Sequence, residues 1–243
     1  MSLEDLTGQS AVVTGASAGI GRESARALAR EGADVALAAR SEDRLHEIAD
    51  GIEAEYGTDA LVVPTDVTDD AAVDAMIETA VEAFGGLDIV VLNAGVGTGG
   101  DVETLSTEDY DFMMDVNCDG MFFTARAALP HVRESGGHLV FIGSFAGQYA
   151  RPGNPVYAAT KFWTRGFALS LSAQVGDDGI GVTTINPSEV RTEFGDTAFK
   201  ELFDEGEVSE PEEIAEAVVF AARQDRSMVS ELDLYRRDKF THF

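Results

Sequence analysis

The sequence predicts a doubly wound α/β fold, a seven-stranded parallel sheet with helices on both faces. Three observations predict it. Short Val- and Ile-rich runs alternate with amphipathic stretches along the chain. The runs are nearly all apolar, as strands covered on both faces must be. The first run passes through a glycine-rich turn into the first amphipathic stretch.

The elements follow in order. A strand at Ala11–Thr14 leads to a helix at Gly19–Glu31, stopped by Gly32. A strand at Asp34–Ala39 leads to a helix at Glu42–Tyr56, opened by Ser41 as cap and stopped by Gly57. The strand Ala60–Pro64 precedes a helix at Asp70–Phe84, started by Thr68-Asp69-Asp70 and stopped by Gly85-Gly86. The strand Asp88–Asn93 precedes a helix at Thr107–Arg133, started by Ser106-Thr107-Glu108. The strand His138–Gly143, the helix Val156–Val175, the strand Gly181–Ile185, the helix Pro211–Arg223 and the strand Glu231–Tyr235 complete the alternation. Residues 186–210 lack periodicity and are acidic, with Phe194, Phe199, Leu202 and Phe203 interspersed. They read either as a substrate lid or as a pair of short helices packing passively. With no linker and no repeat, the 243 residues form one expected domain, 1–243.

Composition excludes several functions. The formal charge is −27, which repels nucleic acid and anionic membranes alike. No apolar run is long enough to span a bilayer, and the N-terminus lacks a secretory pattern. The single cysteine, Cys118, cannot form an internal disulfide, so a cytoplasmic protein is expected. His46, His131, His138 and His242 are scattered without partners at ligand spacing, so no metal is expected. Lysine is confined to Lys161, Lys200 and Lys239, whereas Asp plus Glu number 44. Acid enrichment with lysine depletion resembles the composition of proteins from extreme halophiles; the alternative is a merely acidic mesophilic protein. Molar salt shortens the Debye length to about 3 Å and quiets the repulsion among those carboxylates.

Two sets of residues carry chemistry. Thr14-Gly15-Ala16-Ser17-Ala18-Gly19-Ile20-Gly21 joins the first strand to the first helix. Gly15 permits the tight turn, Gly19 the approach of a pyrophosphate, and Gly21 close packing of the helix. The second strand ends Ala38-Ala39-Arg40-Ser41, without the acid that holds a ribose 2′-hydroxyl. Arg40 instead suits a 2′-phosphate, so NADP(H) is expected rather than NAD(H). In the second set, Tyr157 and Lys161 share one helix face at i, i+4. An ammonium beside a phenol is expected to lower its pKa. Ser144, at a strand end thirteen residues upstream, can hydrogen-bond a carbonyl or alcohol oxygen.

Together these residues resemble the short-chain dehydrogenase/reductase family over about Thr7 to Tyr235. The resemblance implies a Rossmann-type fold, with Thr14–Gly21 as the cofactor motif, Asp66-Val67 at the adenine, and Asn93-Ala94-Gly95 as the motif after the fourth strand. It implies a catalytic set of Asn117, Ser144, Tyr157 and Lys161. In that scheme Tyr157 is the acid/base and Ser144 positions the substrate oxygen. Lys161 lowers the tyrosine pKa and holds the nicotinamide ribose, and Asn117 holds a relay water. Pro187, the Val190 backbone and Thr192 are expected at the nicotinamide. The chain departs from the family at Asn186-Pro187-Ser188, where Pro-Gly is usual, and at its ending Glu231–Arg236. That ending, with Arg191–Phe194 and Gly153–Tyr157, is similar to the NADP-dependent 3-hydroxy acid dehydrogenase branch.

The implied activity is NADP(H)-dependent hydride transfer between a nicotinamide and a secondary alcohol or carbonyl. Small hydroxy or keto acids are one substrate class, with Arg151 or Arg191 holding the carboxylate. Two alternatives stand: a 3-oxoacyl thioester reductase, and a non-catalytic dinucleotide sensor on the same fold. A homotetramer or homodimer is expected. Phe162, Trp163, Phe167 and Leu171 give one helix more apolar surface than a single buried face needs.

Overall fold

The computed structural model describes residues 5–195, 198–225 and 227–241. Seven strands form one sheet: β1 (Ser10–Thr14), β2 (Asp34–Ala39), β3 (Ala60–Pro64), β4 (Ile89–Leu92), β5 (His138–Ile142), β6 (Gly181–Pro187) and β7 (Glu231–Leu234). Their order is β3-β2-β1-β4-β5-β6-β7, and every neighbouring pair is parallel. Parallel neighbours require crossovers, and the helices supply them. The helices are α1 (Gly19–Arg30), α2 (Glu42–Tyr56), α3 (Asp70–Phe84), α4 (Thr107–Met114), α5 (Gly120–Ser135), α6 (Pro155–Val175), α7 (Phe199–Leu202) and α8 (Pro211–Ala222). The crossover from β3 to β4 passes to the other side of β1, and the reversal of strand order between β1 and β4 opens a crevice at the carboxyl ends of these two strands.

Two cores flank the sheet. Leu28 of α1, Leu45 of α2 and Ile214 of α8 pack on one face. Met76 of α3, Met121 of α5 and Leu171 of α6 pack on the other. All five residues of β1 are buried, which is why its centre, Ala11-Val12-Val13, is apolar rather than alternating, and the hydroxyls of Ser10 and Thr14 at its ends are hydrogen-bonded to Gly86 O and Val91 O. Each large apolar side chain buried here contributes about 1.5–3 kcal/mol.

The expected boundaries hold closely where the end chemistry is local. Asp69 accepts from the Ala71 and Ala72 amides at the start of α3, a cap that contributes about 1 kcal/mol. Ser106 accepts from Asp109 N at 3.0 Å and opens α4. Gly57 and Gly85 stop their helices at φ 74° and 81°, where a side chain would be strained. Ser41 precedes α2 as expected, but its side chain makes no capping bond.

Three segments differ from expectation. The long helix expected from Thr107 is not continuous: Asp115–Asp119 widens into a π-helical turn between α4 and α5. Residues 186–210 are not a bare loop. They begin as the end of β6, form a bridge between Val190 and Ser209, and include α7. Trp163, Phe167 and Leu171 pack against the sheet, leaving Phe162 exposed. Tyr110, Phe112 and Phe122, from α4 and α5, are exposed as well. Among the described residues no helix is long and apolar enough to cross a membrane.

Candidate active site

A cavity of about 510 Å³ opens at the carboxyl ends of the strands. Such a volume lies within the range of roughly 300–1,000 Å³ usual for ligand pockets. It begins at the turn after β1. Thr14 Oγ1 accepts from the Asn93 and Ala94 amides at 3.0 and 3.1 Å, and Asn93 Nδ2 donates to Thr14 O at 2.8 Å. These bonds lock the ends of β1 and β4 together. Gly15 turns the chain at φ 68°, and a Cβ on it would meet Asn93 Nδ2 at 2.8 Å. A Cβ on Gly21 would stand 2.3 Å from Gly15 O, so the helix closes against its own turn only without a side chain. Gly19 lies close against Thr192, whose Cγ2 would be 3.0 Å from an added Cβ.

The cradle fits a dinucleotide. No side chain caps α1 and its first turn carries no acid, so its amides and positive dipole end remain available to a phosphate. Ser17, Gly19 and Ile20 border that end. Arg40 and Ser41 line the adenosine end, and among the described residues no carboxylate pairs with Arg40. The uncapped Ser41 hydroxyl is therefore free beside it. Asp66 and Val67 form the neighbouring wall, where Asp66 Oδ1 accepts from Thr68 N and Thr68 Oγ1 at 3.0 and 2.9 Å.

The other end brings Ser144, Tyr157 and Lys161 together. Ser144 follows β5 and accepts from Ala146 N at 3.0 Å, which fixes its hydroxyl at the strand end. Lys161 is buried and donates from Nζ to Ile142 O at 3.0 Å. Burial pushes its ammonium down to about 8. Its Nζ stands 5.9 Å from the centre of the Tyr157 ring.

The low tyrosine pKa expected from Lys161 is not what this arrangement gives. Burial pushes the Tyr157 phenol up from its ordinary value, and the Ser144 hydroxyl and the Arg151 charge pull it back only in part. The phenol's own desolvation explains the difference, and the same dry surroundings act against the charged form of Lys161.

Asn117 stands just behind the cavity wall, fully buried in the π-helical turn. Its Oδ1 accepts from Val96 N at 2.8 Å, and its Nδ2 donates to Val96 O at 2.8 Å and Thr160 Oγ1 at 3.0 Å. Both amide hydrogens are thus engaged in bracing the segment after β4. A relay through Asn117 has its backbone rather than its amide hydrogens to work with. A Cβ on Gly95 would lie 3.4 Å from Asn117 Oδ1 and 3.6 Å from Lys161 Nζ, so Gly95 separates the two narrowly.

The remaining expected residues also fall here. Pro187, Val190 and Thr192 line the catalytic end, and Thr192 Oγ1 donates to Val190 O at 3.3 Å. Ser188 keeps a negative φ, and its hydroxyl accepts from Arg236 N at 3.3 Å, tying the turn to the C-terminal segment. Arg151 lines the cavity, whereas Arg191 does not: its Nε donates to both Glu210 oxygens at 2.8 and 3.0 Å. Phe194 covers Tyr157 with ring centres 5.6 Å apart, and Phe199 backs Phe194. Ser41, Val96, Thr160 and Glu189 are additions that the sequence motifs did not single out. Among the described residues no three His, Cys, Asp or Glu side chains converge as a metal site. His242 lies outside the described residues, and His138 is a core residue bonded to Thr183 at 2.8 Å and kept neutral by burial.

The chain is similar in sequence and fold to known proteins. The family pattern described as short chain dehydrogenase matches residues 9–202. An uncharacterized oxidoreductase of Staphylococcus aureus is 39% identical over 222 residues, covering 91% of this chain and 94% of that protein. An alcohol dehydrogenase from the archaeon Thermococcus sibiricus, solved with 5-hydroxy-NADP, is 32% identical with a TM-score of 0.91, covering 97% of this chain and 99% of that one. The 3-ketoacyl-(acyl-carrier-protein) reductase of Brucella melitensis, solved with NADH, is 30% identical with a TM-score of 0.85, covering 94% and 97%. The glycine turn, the paired Tyr157 and Lys161 and these matches converge: the chain is an oxidoreductase of the short-chain dehydrogenase/reductase family.

Proposed function

We propose that the protein is an NADP(H)-dependent reductase and dehydrogenase of secondary alcohols and their carbonyl counterparts. The observation that carries this reading is the Ser144–Tyr157–Lys161 cluster, its lysine buried, at the far end of a nucleotide cradle whose near end holds the unpaired Arg40. The nicotinamide, when bound, supplies the hydride. Tyr157 donates its phenolic proton to the carbonyl oxygen in reduction and takes it back in oxidation. The Ser144 hydroxyl holds that oxygen. Lys161, below its pKa of about 8, sets a positive charge beneath the phenol and toward the ribose. Asn117 is a positioning residue that fixes the Val96 segment under the reacting atoms. Phe194 and Phe199 close the site against water. Arg40 and Ser41 hold the 2′-phosphate.

Among the described residues Arg151 is the one arginine lining the catalytic end, so a small hydroxy or oxo acid suits the pocket, with its carboxylate on Arg151. A 3-oxoacyl group on an acidic carrier protein suits it less, because the −27 surface repels such a carrier. The protein works in the cytoplasm at high salt. The exposed aromatic face of α4, α5 and α6 joins it to further copies, and light scattering in molar KCl returns a dimer or tetramer rather than a monomer.

Initial rates of NADPH and NADH oxidation test the reading, with ketones, 3-oxo acids, 3-oxoesters, sugars and 3-oxoacyl thioesters as substrates. We expect turnover of one carbonyl class with NADPH preferred, and loss of activity as KCl is withdrawn. Silence across the panel, with NADPH still bound, favours the sensor reading instead. Equal stability with and without molar KCl removes the halophilic one.

A further inference from the structure

The C-terminal segment packs behind two residues of the pocket's catalytic end, Phe145 and Glu189, and brings a buried lysine with it. Tyr235 and Phe240 pack against Phe145, with ring centres 5.1 and 6.1 Å away, in the loop that follows Ser144. Between them Lys239 is only 9% exposed, although it lies four residues from the end of the sequence. Its Nζ stands 4.4 Å from the Phe145 ring centre and donates to Glu189 Oε1 at 2.5 Å. A lysine so dry is held there by its partner rather than by hydration.

Glu189 lines the cavity, and so does Arg151. The guanidinium reaches the same Glu189 oxygen only at 3.7 Å, beyond hydrogen-bond distance, and its side chain is 40% exposed. One carboxylate thus faces two cations, and the lysine holds it. The three groups together carry one positive charge beside Tyr157, in a chain whose total is −27. The Glu189 Oε2 atom is buried without a hydrogen-bond partner, a site that Arg151 would take if Lys239 were gone.

We propose that Lys239 is a positioning residue that neutralises Glu189 and so leaves the Arg151 guanidinium free to bind the carboxylate of a small oxo or hydroxy acid. The proposal rests on the reductase reading above. It makes the C-terminal segment part of substrate selection without touching the substrate. Loss of the lysine hands Glu189 to Arg151 and removes the anion anchor.

The test compares acetoacetate with ethyl acetoacetate under NADPH at one fixed KCl concentration. Lys239→Met raises KM for acetoacetate about tenfold or more, the worth of a charge-assisted hydrogen bond, with kcat within about twofold. The neutral ester is turned over within about twofold of the unaltered rate, because it makes no such bond. Lys239→Arg retains acetoacetate binding. Adding Glu189→Gln to Lys239→Met restores KM to within about threefold, since no carboxylate remains to capture Arg151. Equal losses on acid and ester, an unchanged KM for the acid, or no rescue by the second substitution would each overturn the proposal. If the unaltered protein turns over neither compound, the reductase reading fails on these substrates. Calorimetric binding of acetoacetate to the NADPH-loaded protein and its Lys239→Met variant then decides the role of Lys239 separately. Weaker binding to the variant supports it, and equal affinities overturn it.

Discussion

Tyr157→Phe is expected to lower turnover by about 10²–10⁴-fold, the usual worth of a positioned acid/base, while leaving NADPH affinity within about twofold. The substitution removes one hydroxyl and keeps the ring that packs under Phe194. The sign of the pH dependence follows from burial. Because the phenol is held above its ordinary value, its proton is present throughout the neutral range. Carbonyl reduction therefore has its donor at neutral pH without further titration. Alcohol oxidation needs the deprotonated form and rises with pH. Lys161 loses its charge through about pH 8, and that loss removes the cation which favours the phenolate. Steady-state rates in both directions, beside a fluorescence titration of NADPH, check these points. A phenylalanine variant that retains full turnover would place the proton elsewhere.

Arg40→Ala carries the second large effect. A guanidinium–phosphate contact is worth about 1.5–3 kcal/mol, so NADPH binding should weaken by about 10–100-fold. NADH carries no 2′-phosphate and should bind within about twofold of its original affinity. The contrast is sharp because no carboxylate among the described residues competes for Arg40, and because the Ser41 hydroxyl beside it is not engaged in capping α2. Titrating both nucleotides against both proteins reads the difference directly. Equal weakening for NADPH and NADH would mean that Arg40 acts through the fold rather than through the phosphate.

The sheet was legible because its signals are local and redundant. Buried parallel strands must be apolar on both faces, and left-handed glycines must stand after helices. β2, β3, α2 and α3 accordingly begin and end where their residues predict. The site's motifs were legible for a related reason: Gly15, Gly19, Gly21, Tyr157 and Lys161 act through spacing within one element. What escaped the sequence depends on contacts between distant segments. The π-helical turn at Asp115–Asp119 is held by Asn117 reaching Val96 and Thr160, 21 and 43 residues away. Arg151 and Arg191 look alike in sequence, and their places in the fold separate their roles: Arg151 lines the cavity, whereas Arg191 is hydrogen-bonded to Glu210. The rise in the Tyr157 pKa has the same origin. Spacing places an ammonium near the phenol but says nothing of how dry both are. Lys239 was visible only as one of three lysines, and its partner lies 50 residues away.

The most direct test follows the hydride itself, using NADPH deuterated at C4 with the carbonyl substrate that the rate panel selects, in molar KCl. Stoichiometric deuterium on the carbinol carbon of the product, lost in Tyr157→Phe, is the predicted result. NADPH bound at the cradle with no deuterium delivered to any carbonyl in the panel would contradict it.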